Sequence, residues 1–290
     1  ASFDISASAL TESAIQVKAE LGLGVGESLG RVSFGGTAVR AGPGAPAASG
    51  KLQVIAPSMA KFVEGIAQAL GAPAAVPAML DQPLALDAKI EVTAEEGALN
   101  EIALTLGESR ATGAVSAAFA EGVQVDLALL IKRINLDQWL ALSDTARPPL
   151  KAPETSAPSA PADALGRAEA LALPSDLSGS FNVEVEALTY NDALVRQATI
   201  SGAIIDGTVE FGRIAALLPG GSDVTMSGTL ATVEGQPRFE GQLEAASDNL
   251  RVLLAWLELE PDAVPADRLR KLGLTTNMRL TPDLMQAYRV

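Results

Sequence analysis

QLEAASDNLRVLLAWLEL, residues 242–259, changes its periodicity halfway along. The opening residues alternate apolar and polar, the period of a strand with one buried face. A polar cap follows, and Leu250, Leu253, Leu254 and Leu257 then recur at the spacing of a short amphipathic helix. Ser247 or Asp248 is the expected N-cap, because a side-chain oxygen there can satisfy an N–H that the first helical turn leaves unpaired. The same passage from strand to helix occurs in KLQVIAPSMAKFVEGIAQAL at residues 51–70 and, less sharply, in VQVDLALLIKRINLDQWLAL at 123–142. Leu52 and Met59 are seven positions apart, as are Leu243 and Leu250. One structural unit used repeatedly is expected, and with it an extended surface instead of a single catalytic centre.

Working outward, alternation dominates the chain. Phe3 and Ile5, then Ile15, Val17 and Ala19, mark two strands. Residues 31–40 read as a strand pair, 22–30 as a glycine-rich turn and 41–50 as a loop. After the strand at 51–56, Pro57 and Ser58 open a helix whose stripe is Met59, Phe62, Val63, Ile66 and Leu70. Strands follow from Leu84 and at 99–106, 110–119 and 123–131, ending in a short helix opened by Asn135 or Asp137 and carrying Leu136, Trp139 and Leu140. Strands at 194–205, 207–216, 223–232, 238–246 and 274–280 fill the second half, with a turn at LLPGGS, 217–222. Residues 261–272 read as a helical turn or two. The predicted fold is mainly β, a long, antiparallel, curled, groove-like sheet with short amphipathic helices at segment ends. Three regions are expected: a β-rich segment at 1–144 with two helices, a Pro/Ala/Ser-rich linker or loop at 145–172, and a second β segment at 173–290.

Composition narrows the function. Hydrophobic residues are 48% of the 290 but aromatics only 4%, so the apolar content is small and aliphatic and suits many thin strands. Charged residues are 19%, below the usual quarter, which is compatible with apolar surface left uncovered. A net charge of −14 repels phosphate backbones, so nucleic acid is not an expected partner. The absence of cysteine excludes disulfides and thiol chemistry, and the absence of histidine excludes Ser–His triads and HExxH zinc sites. No apolar run of about 18 residues is long enough for a membrane helix, and no signal peptide opens the chain. Both ends carry strand-like alternation, so a piece of a longer protein is expected.

No motif supplies chemistry. Gly22, Gly24 and Gly26 resemble a dinucleotide loop, but Glu27 holds the third glycine position and no helix pattern follows. APAASGKL at 45–52 has the Gly-Lys pair of a phosphate loop, yet Leu52 replaces the Mg²⁺-binding hydroxyl and a strand follows it. Glu184 and Glu186 share a strand face about 7 Å apart. They and Glu95-Glu96 could serve a glycosidase or a cation, but no aromatic platform or third ligand accompanies them. No catalytic residue, metal site or cofactor is therefore expected. Trp139 and Trp256 are read as packing their helices onto the sheet.

Residues 177–259, LSGSFNVEVEALTYNDALVRQATISGAIIDGTVEFGRIAALLPGGSDVTMSGTLATVEGQPRFEGQLEAASDNLRVLLAWLEL, resemble the AsmA family of bacterial envelope proteins. The LPGGS turn, the GTL and PRFEG strands and the closing NLRxLLxWL helix carry the resemblance. The first half shares the rhythm. The resemblance implies a grooved β-sheet that projects into the periplasm, tethered to the inner membrane by an anchor helix that this chain lacks. It implies a role in phospholipid movement towards the outer membrane and in envelope integrity, with other envelope proteins as partners and no catalytic residues.

Side-chain parity gives the same picture. Every second residue of a strand faces inward, and small or branched residues there leave room for acyl chains. Each CH₂ of a lipid tail taken out of water contributes about 0.8 kcal/mol. Phe181, Val183, Val185, Val209, Phe211, Val224, Met226 and Leu230 are the expected lipid-groove residues. The alternative is a non-enzymatic β-scaffold for outer-membrane assembly whose inner face is filled by its own side chains.

Overall fold

The computed structural model describes residues 2–9, 14–23, 29–41, 45–69, 71, 76, 80–119, 122–145, 176–233, 235–259, 270–281 and 284–288. Within them the protein is mainly β, with fifteen strands and three short helices. The chain forms two compact units, Ala1–Glu121 with Asp126–Pro149, and Gly122–Val125 with Leu150–Val290. Among the described residues, no helix is long and apolar enough to cross a membrane. The stretch read as a linker lies outside the described residues except for Thr145.

The first unit contains β1 (Ser2–Ala9), β2 (Ala14–Leu23), β3 (Gly30–Ala41), β4 (Ala45–Ala56), β5 (Leu84–Val92), β6 (Glu96–Leu106), β7 (Ser109–Ala118) and most of β8 (Val123–Asn135). They lie side by side in chain order, and β1 to β7 pair antiparallel. Two helices follow strands directly, α1 (Met59–Ala69) after β4 and α2 (Leu136–Thr145) after β8. The second unit contains β9 (Leu177–Tyr190), β10 (Ala193–Ile205), β11 (Thr208–Leu218), β12 (Ser222–Val233), β13 (Gln236–Ser247), β14 (Leu272–Thr281) and β15 (Leu284–Tyr288). Helix α3 (Leu250–Trp256) lies between β13 and β14. Its strands too pair antiparallel in chain order; all fifteen strands belong to one sheet, which does not close into a barrel.

Each helix therefore sits where the sequence changes period, and its cap explains its start. Ser58 Oγ accepts from the N–H of Lys61 at 3.1 Å, and Asn135 Oδ1 accepts from Gln138 N–H at 3.0 Å. For α3 the cap is Asn249, whose side chain accepts from Val252 N–H at 3.3 Å, not Ser247 or Asp248. The β13 ladder runs on through Ser247, whose hydroxyl is buried 2.8 Å from that of Ser222. Leu257 lies beyond the last turn of α3 and is exposed, as is Leu140 of α2, so each predicted stripe is one leucine too wide. Leu70 lies outside the described residues.

Three other expectations change. Residues 45–50 belong to β4, because their backbone pairs with β3 from Ala41↔Ala45 to Gly36↔Gly50. Alanine, glycine and proline composition suggested a loop, but small side chains also suit a closely paired hairpin. Residues 31–40 form part of the single strand β3 instead of a strand pair. The helical turns read at 261–272 fall mostly outside the described residues, and Leu272 already begins β14.

In the first unit α1 packs its apolar stripe on one end of the sheet. Phe62 is buried there with Leu23, Val54, Ala56, Leu84 and Leu106, and Met59, Ile66 and Trp139 pack around them. Register shifts interrupt β6 near Glu101, and β10 and β11 near Gln197 and Gly212. Glu101 and Gln197 take positive φ, 50° and 51°. An extra residue in one strand of a pair sharpens the local twist, so these bulges curl the sheet within each unit.

Glycine is required where the strands of each unit carry a bulky ring. Gly241 of β13 lies opposite Gly228 of β12, and a Cβ on Gly241 would run into the Ser227 carbonyl and come within 2.8 Å of Phe239 Cζ. Gly36 and Gly50 stand opposite each other beneath Phe34 in the same way. Gly241→Ala is accordingly expected to destabilise by about 1–3 kcal/mol, the usual range for overpacking. Urea denaturation of the purified chain measures it, and a shift below about 0.5 kcal/mol would mean that the Ser227 backbone and the Phe239 ring both give way freely.

Candidate functional site

Residues directly opposite in an antiparallel pair point to the same side of the sheet. In the second unit this rule can be followed strand by strand. Phe181 lies opposite Gly202, Gly202 opposite Phe211, and Phe211 opposite Gly228. Val183 faces Ile200, Ile200 faces Ile214, Ile214 faces Met226, and Met226 faces Leu243. Val209 and Leu230 are opposite each other, Val224 lies between Ala216 and Ala245, and Val185 faces Ala198. All eight predicted groove residues thus share one face, and all eight are half-buried.

Three phenylalanines cross this face. The rings of Phe181 and Phe211 meet edge to face with centroids 5.9 Å apart, and Phe211 and Phe239 are 6.3 Å apart. Gly202 lets Phe181 lie across β10, since a Cβ there would come 2.8 Å from the ring. The opposite face carries most of the charged and polar side chains: Glu184, Glu186, Ser201, Glu210, Arg213, Ser227, Glu240, Glu244 and Arg279. Arg279 Nε lies 2.8 Å from Glu240 Oε1, and Arg238 Nε 3.3 Å from the same oxygen. These are exposed pairs, each contributing about 0–1 kcal/mol, so they sort the faces more than they hold the sheet.

Sequence parity missed Ile214, Leu243 and Phe239. Counting by twos from Phe211 would put Arg213 on the apolar face. The register shift between Phe211 and Ile214 instead turns Arg213 to Ser201 on the polar side and brings Ile214 in line with Met226. Gly212 within an alternating strand was the available signal, since an isolated strand glycine often marks a bulge.

The first unit has a comparable face, where no groove residue had been predicted. Val32, Val54, Leu86 and Leu104 are successively opposite, as are Phe34, Leu52 and Ala88. The α1 cluster covers one end. Towards the other end lies an apolar hollow of about 310 Å³, lined by Leu52, Ile90, Val92, Leu99 and Val115 with small neighbouring residues. Val92 is 40% exposed, so the hollow opens to solvent. A larger hollow of about 850 Å³ lies on the polar face across β1 to β4. Its charged lining offers an alkyl chain little, so the smaller, aliphatic hollow is the better candidate for one.

The predicted alternatives take structural places. Glu184 and Glu186 are exposed on the polar face, and Glu184 accepts from Asn182 Nδ2 at 3.2 Å. Glu95 lies in the β5–β6 turn and Glu96 opens β6, and both backbone N–H groups donate to Thr93 Oγ1. Among the described residues, no three His, Cys, Asp or Glu side chains are grouped to hold a metal ion. Trp139 packs against the buried cluster under α1. Trp256 donates its indole N–H to the Tyr190 carbonyl at 2.9 Å and meets the Tyr190 ring edge on, while Asn191 donates to the Trp256 carbonyl at 2.7 Å. Together they fasten α3 to the β9–β10 turn. Comparison with protein-family models, curated proteins and solved structures finds no match to this chain.

Proposed function

We propose that this chain is a non-enzymatic envelope module that binds or conducts phospholipid along its apolar β faces. The observation that carries the reading is the largely apolar face of each unit, with most of the charge on the other side. In the first unit that face includes an open aliphatic hollow of about 310 Å³. An acyl chain laid there gains about 0.8 kcal/mol per buried CH₂, and a face without polar contacts raises no large barrier to sliding. The AsmA-like turn, strand and helix sequence of residues 177–259 supports the same reading. On it, the module works in the periplasm, held to the inner membrane by a segment outside these 290 residues, with other envelope proteins as partners.

A second reading, an interaction scaffold without a lipid trough, is favoured locally by Phe239 and Met278. Both are buried on the apolar face, so part of that face is filled by the protein itself. Native mass spectrometry separates the two. After incubation with mixed phospholipid vesicles and removal of the vesicles, the lipid-binding reading expects adducts at phospholipid masses. A bare chain after that treatment would leave only the scaffold.

A further inference from the structure

The polar hollow of the first unit has a feature that the apolar face does not use. Lys18 on β2 and Lys51 on β4 both stand opposite Gly35 on β3, one on either side of it. Neighbouring strands lie about 4.8 Å apart, so the two lysine backbones are about 10 Å apart with the glycine between them. A Cβ placed on Gly35 would meet nothing within 4 Å, which leaves a notch between the two lysine stems. Ser6, Ser33 and Gln53 line the same hollow, as do Asp4 and Glu20.

Apart from Asp4 on the outer strand β1, the surrounding charges are committed elsewhere. Glu20 is held by Arg31 at 3.0 Å, Gln53 donates to Asp87, and Lys89, next in the lysine row, is bound to Glu101. Among the described residues Lys18 and Lys51 enter no ion pair. Two uncommitted ammonium groups on flexible stems flank an open notch from either side, with the Ser33 hydroxyl two residues along β3, and long lysine side chains can reach a common ligand between them. A tetrahedral oxyanion with many acceptor lone pairs matches that arrangement better than a single carboxylate does.

We propose that Lys18, Gly35 and Lys51 form a site for a phosphate-type anion, with Ser33 as a further donor. The group could belong to a free phosphate ester or to a lipid headgroup. The site lies on the face opposite the aliphatic one, so it does not depend on the acyl-binding reading.

Isothermal titration of the purified chain with inorganic phosphate and with glycerol 3-phosphate, at low ionic strength, tests the site. Saturable binding is expected, weakened at least tenfold in a Lys18→Gln/Lys51→Gln variant and weakened further by added salt. Gly35→Glu fills the notch with a negative side chain and is expected to abolish binding at an unchanged melting temperature. Flotation with phosphatidylglycerol vesicles separates the sources. Vesicle binding lost in the double lysine variant assigns a headgroup, whereas binding of the soluble phosphates alone assigns a free ester. The proposal is overturned if no probe binds saturably, or if the double variant and Gly35→Glu bind as the parent does.

Discussion

Replacing Phe62 with alanine is expected to lower the stability of the protein by about 3–5 kcal/mol, the range for deleting a buried aromatic ring. Phe62 is 5% exposed and joins α1 to the ends of four strands through Leu23, Val54 and Ala56, Leu84 and Leu106. Its ring also lies over Gly30, where a Cβ would come within 2.8 Å of Cε2. Gly30 has no side chain to fall into the vacated space, so the void would persist and the upper part of the range is expected. Urea denaturation should show a lower midpoint with an unchanged slope. Leu140→Ala, on an exposed position of α2, is the comparison and should shift stability by no more than about 0.5 kcal/mol. Equal shifts in the two variants would show that α1 does not anchor the sheet end.

The second large effect is on bound lipid. A Val183→Asp/Met226→Asp variant is expected to lose co-purifying phospholipid while its far-UV circular dichroism remains β-rich. The two positions flank Ile200 and Ile214 in one cross-strand row, so two carboxylates would enter the middle of the aliphatic face. Both side chains are half-buried, which leaves the new carboxylates access to water in the empty protein and spares the fold. An acyl chain lying over them would strip that water away, at a cost of several kcal/mol per uncompensated charge. Ten buried CH₂ groups contribute about 8 kcal/mol, so losing even a third of that weakens binding by about two orders of magnitude. Lipid extraction and mass spectrometry of parent and variant provide the measurement. Glu184→Gln, on the opposite face, should retain the lipid. A folded double variant with its lipid intact would sink the assignment of the face.

Much of this face was legible in the residues. In SFNVEVEA, Phe181, Val183 and Val185 alternate with Asn182, Glu184 and Glu186, and nothing in pairing β9 to β10 disturbs that order. The three helices were legible for a related reason. Met59, Phe62 and Ile66, or Leu250, Leu253 and Leu254, break a period of two and begin one near four, which only a helix can place on one side. The small residues of 45–50 were misleading because composition reports what a segment can become, whereas β3 supplies the partner that makes it a strand. Ser247 was misread as a cap because its place was taken by a ladder that continues to the end of β13 and by the hydroxyl of Ser222, a residue on another strand.

Alternation along each strand was enough to establish a mainly β protein, to sort largely apolar from charged faces and to locate the turns into helix at residues 58 and 135 and, one or two residues early, at 247–248. These are local properties, set by the two-residue repeat of extended chain and by side chains a turn apart. Other features needed the folded sheet: the bulges at Glu101, Gln197 and Gly212, the stacking of Phe34 and Phe239 on glycine pairs, and the hollow between Leu52, Ile90 and Val115. Each depends on the register between strands, which is a relation between separate segments and is not written in the period of any one of them.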